Sequence, residues 1–247
     1  QGKYLYEFFI IKNKEGYLLD CDIELKDDLI KHLLKYKLRS KVEIKDLSSS
    51  HVIGVISEEK FLEIQSEINS KEKTIIYRDS PCFLDPRHTL LGARILSCLE
   101  KLHLTIKKLN LKIIEKSNYL KLAHAQGIPI QGVKKLQDNL FGLESNFEEL
   151  NGVDFKKGCY VGQENTARMK LKNKLRRRLL PVVSETTLKV SDEIKFKESV
   201  VGRVLIDGEC SFALIKLFDP EFKEFSKQNL KINGCDVQIL APSHFNI

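Results

Sequence analysis

Phe155-Lys156-Lys157-Gly158-Cys159-Tyr160-Val161-Gly162-Gln163-Glu164, closed by Arg168, concentrates more chemistry than any other stretch of the 247 residues. Cys159 stands between two glycines, whose backbone freedom allows a tight turn that exposes the thiol. Lys156, Lys157 and Arg168 are near in sequence, and cationic neighbours raise the thiolate fraction of a cysteine. A helix opening after Gly162 would add its unpaired N–H groups to that effect. Gln163 and Glu164 bring an amide and a carboxylate, groups that pair with the amino-pyrimidinone edge of a pterin or guanine. The competing reading is a glycine-rich loop around a buried, inert cysteine, the usual state of a free thiol. The combination of small, basic and amide residues favours a functional loop.

Downstream of this loop the basic run Lys170 to Arg178 reads as a linker or a charged helix end. Beyond it the apolar period changes to that of strands: Leu179 to Val183, Val200 to Ile206, Ser211 to Leu217 and Leu230 to Leu240. Asp207-Gly208-Glu209 is a hairpin signal between two of them. A small all-β module, barrel-like, is expected there. Upstream, Glu115 to Gln126 has helical spacing and stops at Gly127 and Pro129, while Asn139 to Gly158 reads as loop. Nearer the start, Tyr4 to Ile11 predicts a strand, Lys12 to Gly16 a turn, and Tyr17 to Leu19 the returning strand of a hairpin. Helices are expected over Asp28 to Arg39 and Glu58 to Ile68, the second capped by Ser57. Short strands are expected at Val42 to Ile44, Val52 to Ile56 and Thr74 to Tyr77. Strand pairs interleaved with amphipathic helices make an α+β layer.

Composition sets the outer limits. At roughly 150 residues per domain the chain makes one large domain or two modest ones. Its 42% hydrophobic content excludes wholesale disorder. No stretch approaches the ~18 apolar residues of a membrane span, so no membrane partner is expected. Lys and Arg exceed Asp and Glu by 41 to 34, a prior for an acidic partner, although a lysine-rich solvated surface is the simpler and favoured explanation. Six cysteines without CxxC spacing exclude a zinc ribbon or a thioredoxin motif and fit a reducing compartment. His51, His103, His124 and His244 show no metal-ligand spacing with any cysteine, and no metal site is expected. The opening at Gln1, without Met and almost directly into a strand, suggests that the first domain lacks a preceding segment.

The octapeptide Lys157–Glu164 resembles the K-G-C-[FY]-x-G-Q-E signature of YgfZ-type proteins. These are folate-binding relatives of the glycine-cleavage aminomethyltransferase (T protein), with a branch in mitochondrial iron–sulfur cluster assembly. The likeness extends through Leu143-Glu144-Ser145-Asn146, Asn151 to Phe155, Ala167-Arg168 and Leu180-Pro181-Val182. Gln1-Gly2-Lys3 with Tyr4 to Phe9 is similar to the family's G-K-x-L-x-D-F strand. Asp85-Pro86-Arg87 with Gly92 and Arg94 resembles its D-P-R…G-x-R element, and Gly127-Ile128-Pro129 its G-x-P stop.

The resemblance implies an α+β fold of T-protein type, with lobes around a central cavity over residues 1–172 and a C-terminal β-barrel over 173–247. It implies tetrahydrofolate in the cavity, with Tyr119 stacking on the pterin and Arg87 and Arg94 as further cofactor-binding residues. Cys159 becomes the catalytic thiolate. Lys157, Gly158, Tyr160, Gly162, Gln163, Glu164 and Arg168 form the motif loop around it. Asp85 and Arg87 are expected to form an internal salt bridge rather than to act in catalysis. The expected function is an accessory role in assembly or repair of iron–sulfur clusters. Its partners would be iron–sulfur scaffold or recipient proteins, in a bacterial cytoplasm or a mitochondrial matrix. Two departures from the family pattern matter: Ala123 where many relatives carry Arg, and Ala125 where the T protein has its pterin-binding Glu. The second weakens the alternative of a true aminomethyl transferase. A further alternative joins the protein to tRNA modification, with Arg176-Arg177-Arg178 on RNA phosphates, against which stands the reading of these arginines as a solvated linker.

Overall fold

In the computed structural model the described residues are 2–14, 16–171, 175–245 and 247. Gln1 of the predicted N-terminal motif, Glu15 of the predicted turn, and residues 172–174 of the basic run lie outside them, as does the expected 172/173 boundary. Two units divide the chain, Glu7–Tyr119 and Gln1–Tyr6 with Leu120–Ile247.

In the Glu7–Tyr119 unit, strands β1 (Phe8–Asn13) and β2 (Gly16–Cys21) form a hairpin that pairs Phe8 with Cys21 and Asn13 with Gly16. Helix α1 (Lys26–Lys37) follows, with Asp27 and Asp28 in its first turn and Lys35 and Lys37 in its last, where the helix dipole favours each sign. Then come β3 (Val52–Ile56), α2 (Glu58–Glu67), β4 (Thr74–Tyr77), β5 (Ser80–Leu84), β6 (Ala93–Ser97) and α3 (Leu99–Lys108). Ser57 caps α2 by accepting the N–H of Lys60. The four strands form an antiparallel sheet in the order β3-β6-β5-β4.

Period-two alternation gives this sheet two different faces. Ile75, Tyr77, Cys82, Ala93 and Ile95 meet Phe61 and Ile64 of α2 and Leu102 of α3. Phe61 and Ile64 are wholly buried, each worth about 1.5–3 kcal/mol relative to exposure. On the other face Phe83 and Leu96 pack against Ile11, Phe9 and Leu18 of the hairpin. Arg94 shares that second face and stands in register with Phe83. Gly92, just before β6, has φ +68°, and a Cβ there would lie 2.0 Å from the Ile56 carbonyl oxygen, so no side chain fits.

Helix α4 (Lys116–Ala125) contains the division between the units, after Tyr119. The second unit continues with α5 (Gln163–Leu171), β7 (Arg177–Ser184), β8 (Glu193–Phe196), β9 (Ser199–Ile206), β10 (Phe212–Lys216), α6 (Phe222–Phe225), β11 (Leu230–Ile232) and β12 (Cys235–Ile239). Its six strands close as β10-β7-β12-β11-β8-β9. Closure removes every open edge, and Leu180, Val182, Ile194, Val201, Ala213, Ile215 and Val237 are buried.

Several sequence expectations need correction. The strand expected over Tyr4 to Ile11 is divided: Tyr4 N–H donates to the Leu140 carbonyl in one unit, and the ladder begins at Phe8 in the other. Val42 to Ile44 alternates like a strand but finds no ladder partner among the described residues. Leu230 to Leu240 is two strands turned at Asn233-Gly234. Strands β5 and β6 and helix α3 were not expected, because β5 is buried on both faces and shows no alternation.

Candidate functional site

The predicted site residues fall in two groups, one in each unit. In the Leu120–Ile247 unit the loop after Asp154 begins with an Asx turn, Lys156 N–H donating to Asp154 Oδ1 at 2.8 Å. Cys159 is exposed. Gly162 has φ +90°, a left-handed conformation that favours glycine, and α5 opens directly after it, which meets the condition the sequence left open. A Cβ at Gly158 would meet nothing within 4 Å, so the backbone demand rests on Gly162.

The loop holds itself together through neighbours. Lys157 sets its ammonium over the Tyr160 ring, 4.4 Å from the centroid, and Lys170 does the same over Phe155 at 5.2 Å. Gln163 Oε1 accepts the Tyr160 N–H at 3.3 Å, which turns its amide toward the loop. Arg168 Nη2 donates to Glu164 Oε1 at 2.8 Å, one turn away on an exposed face. Lys157 and Arg168, expected beside the thiol, are thus engaged with Tyr160 and Glu164. Val161, next to Tyr160, is 89% exposed. The result is a turned loop that presents a sulfur and an aliphatic side chain to solvent.

The Glu7–Tyr119 unit brings Arg87, Arg94 and Tyr119 together. Arg87 grips Asp85 with Nε and Nη2, at 3.0 and 2.8 Å, and reaches Glu7 Oε1 with Nη1 at 3.1 Å. The expected Asp85–Arg87 salt bridge is therefore present, with Glu7 as an additional partner. Arg94 gives Nε and Nη2 to Asp20 Oδ2, at 2.8 and 2.6 Å, and Nη1 to the Tyr119 hydroxyl at 3.5 Å. Both guanidiniums lie against Phe9, 4.8 and 4.9 Å from its centroid. Three carboxylates here face two cations in a nearly closed environment, Asp85 fully buried and Arg87 8% exposed. Burial accordingly pushes Glu7 above the ordinary carboxylate value, against the pull of Arg87. Burial also pushes the Tyr119 phenol up, with Arg94 and Arg87 opposing. For Arg87, burial pulls downward but Asp85 and Glu7 hold it above its usual value.

No protein-family model matches the chain. Among solved structures, the aminomethyltransferase T of the Bartonella henselae glycine cleavage system superposes with TM-score 0.67 at 9% identity, over 99% of this chain and 73% of that one. Three curated relatives are named mitochondrial iron–sulfur cluster assembly factor IBA57 or its homolog. The Dictyostelium discoideum protein is 33% identical over 171 residues, 68% of this chain and 41% of that protein. The mouse protein is 34% identical over 204 residues (77% and 53%), and the human protein 33% over 190 (74% and 51%). The chain has a T-protein-like fold of the IBA57 branch. It spans about half the length of the curated relatives it matches.

Seen on the T-protein-like frame, the sequence reading missed Glu7, Phe9 and Asp20 as members of the arginine cluster. Glu7 carried a signal, since it occupies the acidic position of the G-K-x-L-x-D-F strand. The solvated-linker reading of the arginine run also needs correction. Arg177 binds Glu144 at 2.9 Å. Arg178 is buried, reaches Asn146 Oδ1 at 3.2 Å and Glu149 Oε1 at 2.5 Å, and lies against Phe245. Arg178 is a buried structural part of the barrel unit, whereas Arg177 is paired with Glu144 and stays 43% exposed. Histidine 124 is buried, with Nε2 donating to the Ser211 carbonyl at 2.8 Å, and burial pushes it below the ordinary imidazole value. Among the described residues no cluster of His, Cys, Asp and Glu is arranged to hold a metal ion.

Proposed function

We propose that this chain serves in iron–sulfur cluster assembly, with the Cys159 thiolate as its reactive group and tetrahydrofolate held at Tyr119. The observation that supports the reading is the placement of the sulfur. Cys159 is the exposed cysteine of six, whereas Cys82 is buried in the sheet and pushed up to about 12 by burial. A thiol displayed on a turned loop is available to iron or sulfide carried by a partner, which is the chemistry a cluster accessory needs. Scaffold or recipient proteins of cluster assembly are the proposed partners. The mitochondrial matrix is the proposed site; the names of the relatives say of them that they are mitochondrial.

The residues present fit part of a tetrahydrofolate. Tyr119 is half-buried, and its ring face suits stacking on a flat pterin. Arg87 and Arg94 are neutralised by Asp85, Glu7 and Asp20, so they do not suit the carboxylate tail and instead shape the wall beside Tyr119. When bound, tetrahydrofolate supplies a reduced ring that carries one-carbon units. Ala125 is an exposed methyl at the end of α4 and offers no carboxylate for aminomethyl transfer. The burial of Arg178 against Glu149 takes one of the three arginines of the run out of any tRNA contact.

Two measurements test the proposal. In cells lacking their own relative, the wild-type chain restores iron–sulfur enzyme activity and Cys159→Ser, at equal abundance, does not. Full restoration by the serine variant would remove the thiol from the mechanism. Calorimetric titration with tetrahydrofolate is expected to weaken about tenfold or more in Tyr119→Ala. Unchanged affinity would move the ligand elsewhere.

A further inference from the structure

Arg94 is held on three sides within the Glu7–Tyr119 unit. Asp20 takes Nε and Nη2 at 2.8 and 2.6 Å, and the Phe9 ring covers the guanidinium face at 4.9 Å. Arg87, fixed by Asp85 and Glu7, lies against the same ring, 4.8 Å from its centroid. A planar guanidinium gripped along one edge and stacked on one face has no freedom to turn. Its remaining nitrogen, Nη1, is thereby aimed at the Tyr119 hydroxyl. Asp20 and Arg94 are 9% and 12% exposed, so solvent does not loosen the arrangement.

We propose that Asp20 is a positioning residue that acts through Arg94 on Tyr119, fixing both the ring face and the direction of the phenol hydrogen. Arginine donates and does not accept, so the phenol oxygen is the acceptor in its contact with Arg94. The phenol hydrogen is consequently directed away from Arg94 and toward a ligand acceptor, of which a ring carbonyl oxygen is the matching chemistry. Burial keeps the phenol protonated at neutral pH, with Arg94, Arg87 and Asp85 the charged groups facing it. The ligand part of this assignment rests on the reading of Tyr119 as the stacking residue; the relay itself does not.

The test separates the two. Ultraviolet titration of phenolate, with Tyr119→Phe subtracted to isolate one of seven tyrosines, is compared between wild type and Asp20→Asn. The variant leaves the Arg94 charge unbalanced beside the phenol, and its Tyr119 titration is expected about half a pH unit or more lower. A move to higher pH, with Arg94 drawn off the phenol, supports the same assignment. An unmoved titration in a folded variant overturns it. Arg94→Lys keeps the cation but loses the fork, so Tyr119 titrates higher there; this variant decides the matter if Asp20→Asn does not fold. In calorimetry with tetrahydrofolate, Asp20→Asn and Tyr119→Phe each weaken binding about tenfold. The double variant binds no worse than the weaker single one, whereas additive losses overturn the relay. Absence of binding to wild type overturns the folate reading and leaves the phenol titration to judge Asp20.

Discussion

The two groups of candidate site residues are built on opposite plans. Around Cys159 the contacts are mostly local, Lys157 to Tyr160, Tyr160 to Gln163 and Glu164 to Arg168 lying three or four positions apart, with Lys170 over Phe155 the longer reach. In the Glu7–Tyr119 unit, Arg94 and Arg87 reach carboxylates 74 and 80 positions away. The first arrangement is exposed and can be changed without disturbing a core. The second is buried, and each charge in it depends on the others. A role that needs a partner to approach therefore suits the loop, and one that needs fixed geometry suits the cluster.

Thiol chemistry should break this symmetry most strongly. At about pH 8, a cysteine pushed up to about 12, as Cys82 is, is ionised in roughly one molecule in ten thousand. It is also buried within the sheet. Alkylation of the native protein followed by peptide mass spectrometry is expected to label Cys159 at least about a thousandfold faster than Cys82. Comparable rates in the folded state would abolish the contrast between exposed loop and closed sheet.

Next in size is the loss of Arg87. Arg87→Ala leaves Asp85, with no exposed surface, as an uncompensated buried charge, at a cost of about 3–5 kcal/mol. Urea unfolding measures it, and a loss below about 1 kcal/mol would mean that the carboxylates relax into solvent.

Glu7 sharpens the same point through pH. Its folded value is raised above the ordinary 4.5, so the folded protein holds this proton more tightly than the unfolded chain does. The associated stability is fully present below 4.5 and is lost as pH rises through the raised folded value. Glu7→Gln has nothing to ionise, so its stability relative to wild type is expected to improve across that window. Unfolding midpoints over a pH series check this, and a difference that does not vary with pH refutes it.

The same contrast explains what could be read from sequence. The turn at Gly162, the Ser57 cap and most barrel strands were legible because their causes are local: a flexible glycine backbone, a capping oxygen, a period of two. Asp85 beside Arg87 was legible for the same reason, being two residues apart. Asp20 and Phe9 were not, because only the packing of the β1–β2 hairpin on the sheet brings them to Arg94. The arginine run misled for a related reason. Charge density alone suggests solvent, but Arg178 is carried inside when β7 enters the barrel and meets Glu149 there. The strand expected at Val42 to Ile44 failed because alternation makes a strand only where a partner supplies the ladder.

The smallest predicted effect lies on α5, directly after the loop. Arg168 and Glu164 are 61% and 87% exposed, and an i,i+4 pair in water contributes about 0.3–0.5 kcal/mol. Arg168→Ala should therefore change stability by no more than about 0.5 kcal/mol, close to a tenth of the Arg87→Ala loss. That near silence is informative, because any loss of the proposed cluster-assembly function in Arg168→Ala is then separable from unfolding. Measured beside Arg87→Ala in the same urea series, a loss above about 1 kcal/mol would show that the pair contributes more to α5 than an exposed helix-surface pair does. The two regions would then differ in degree of burial but not in kind.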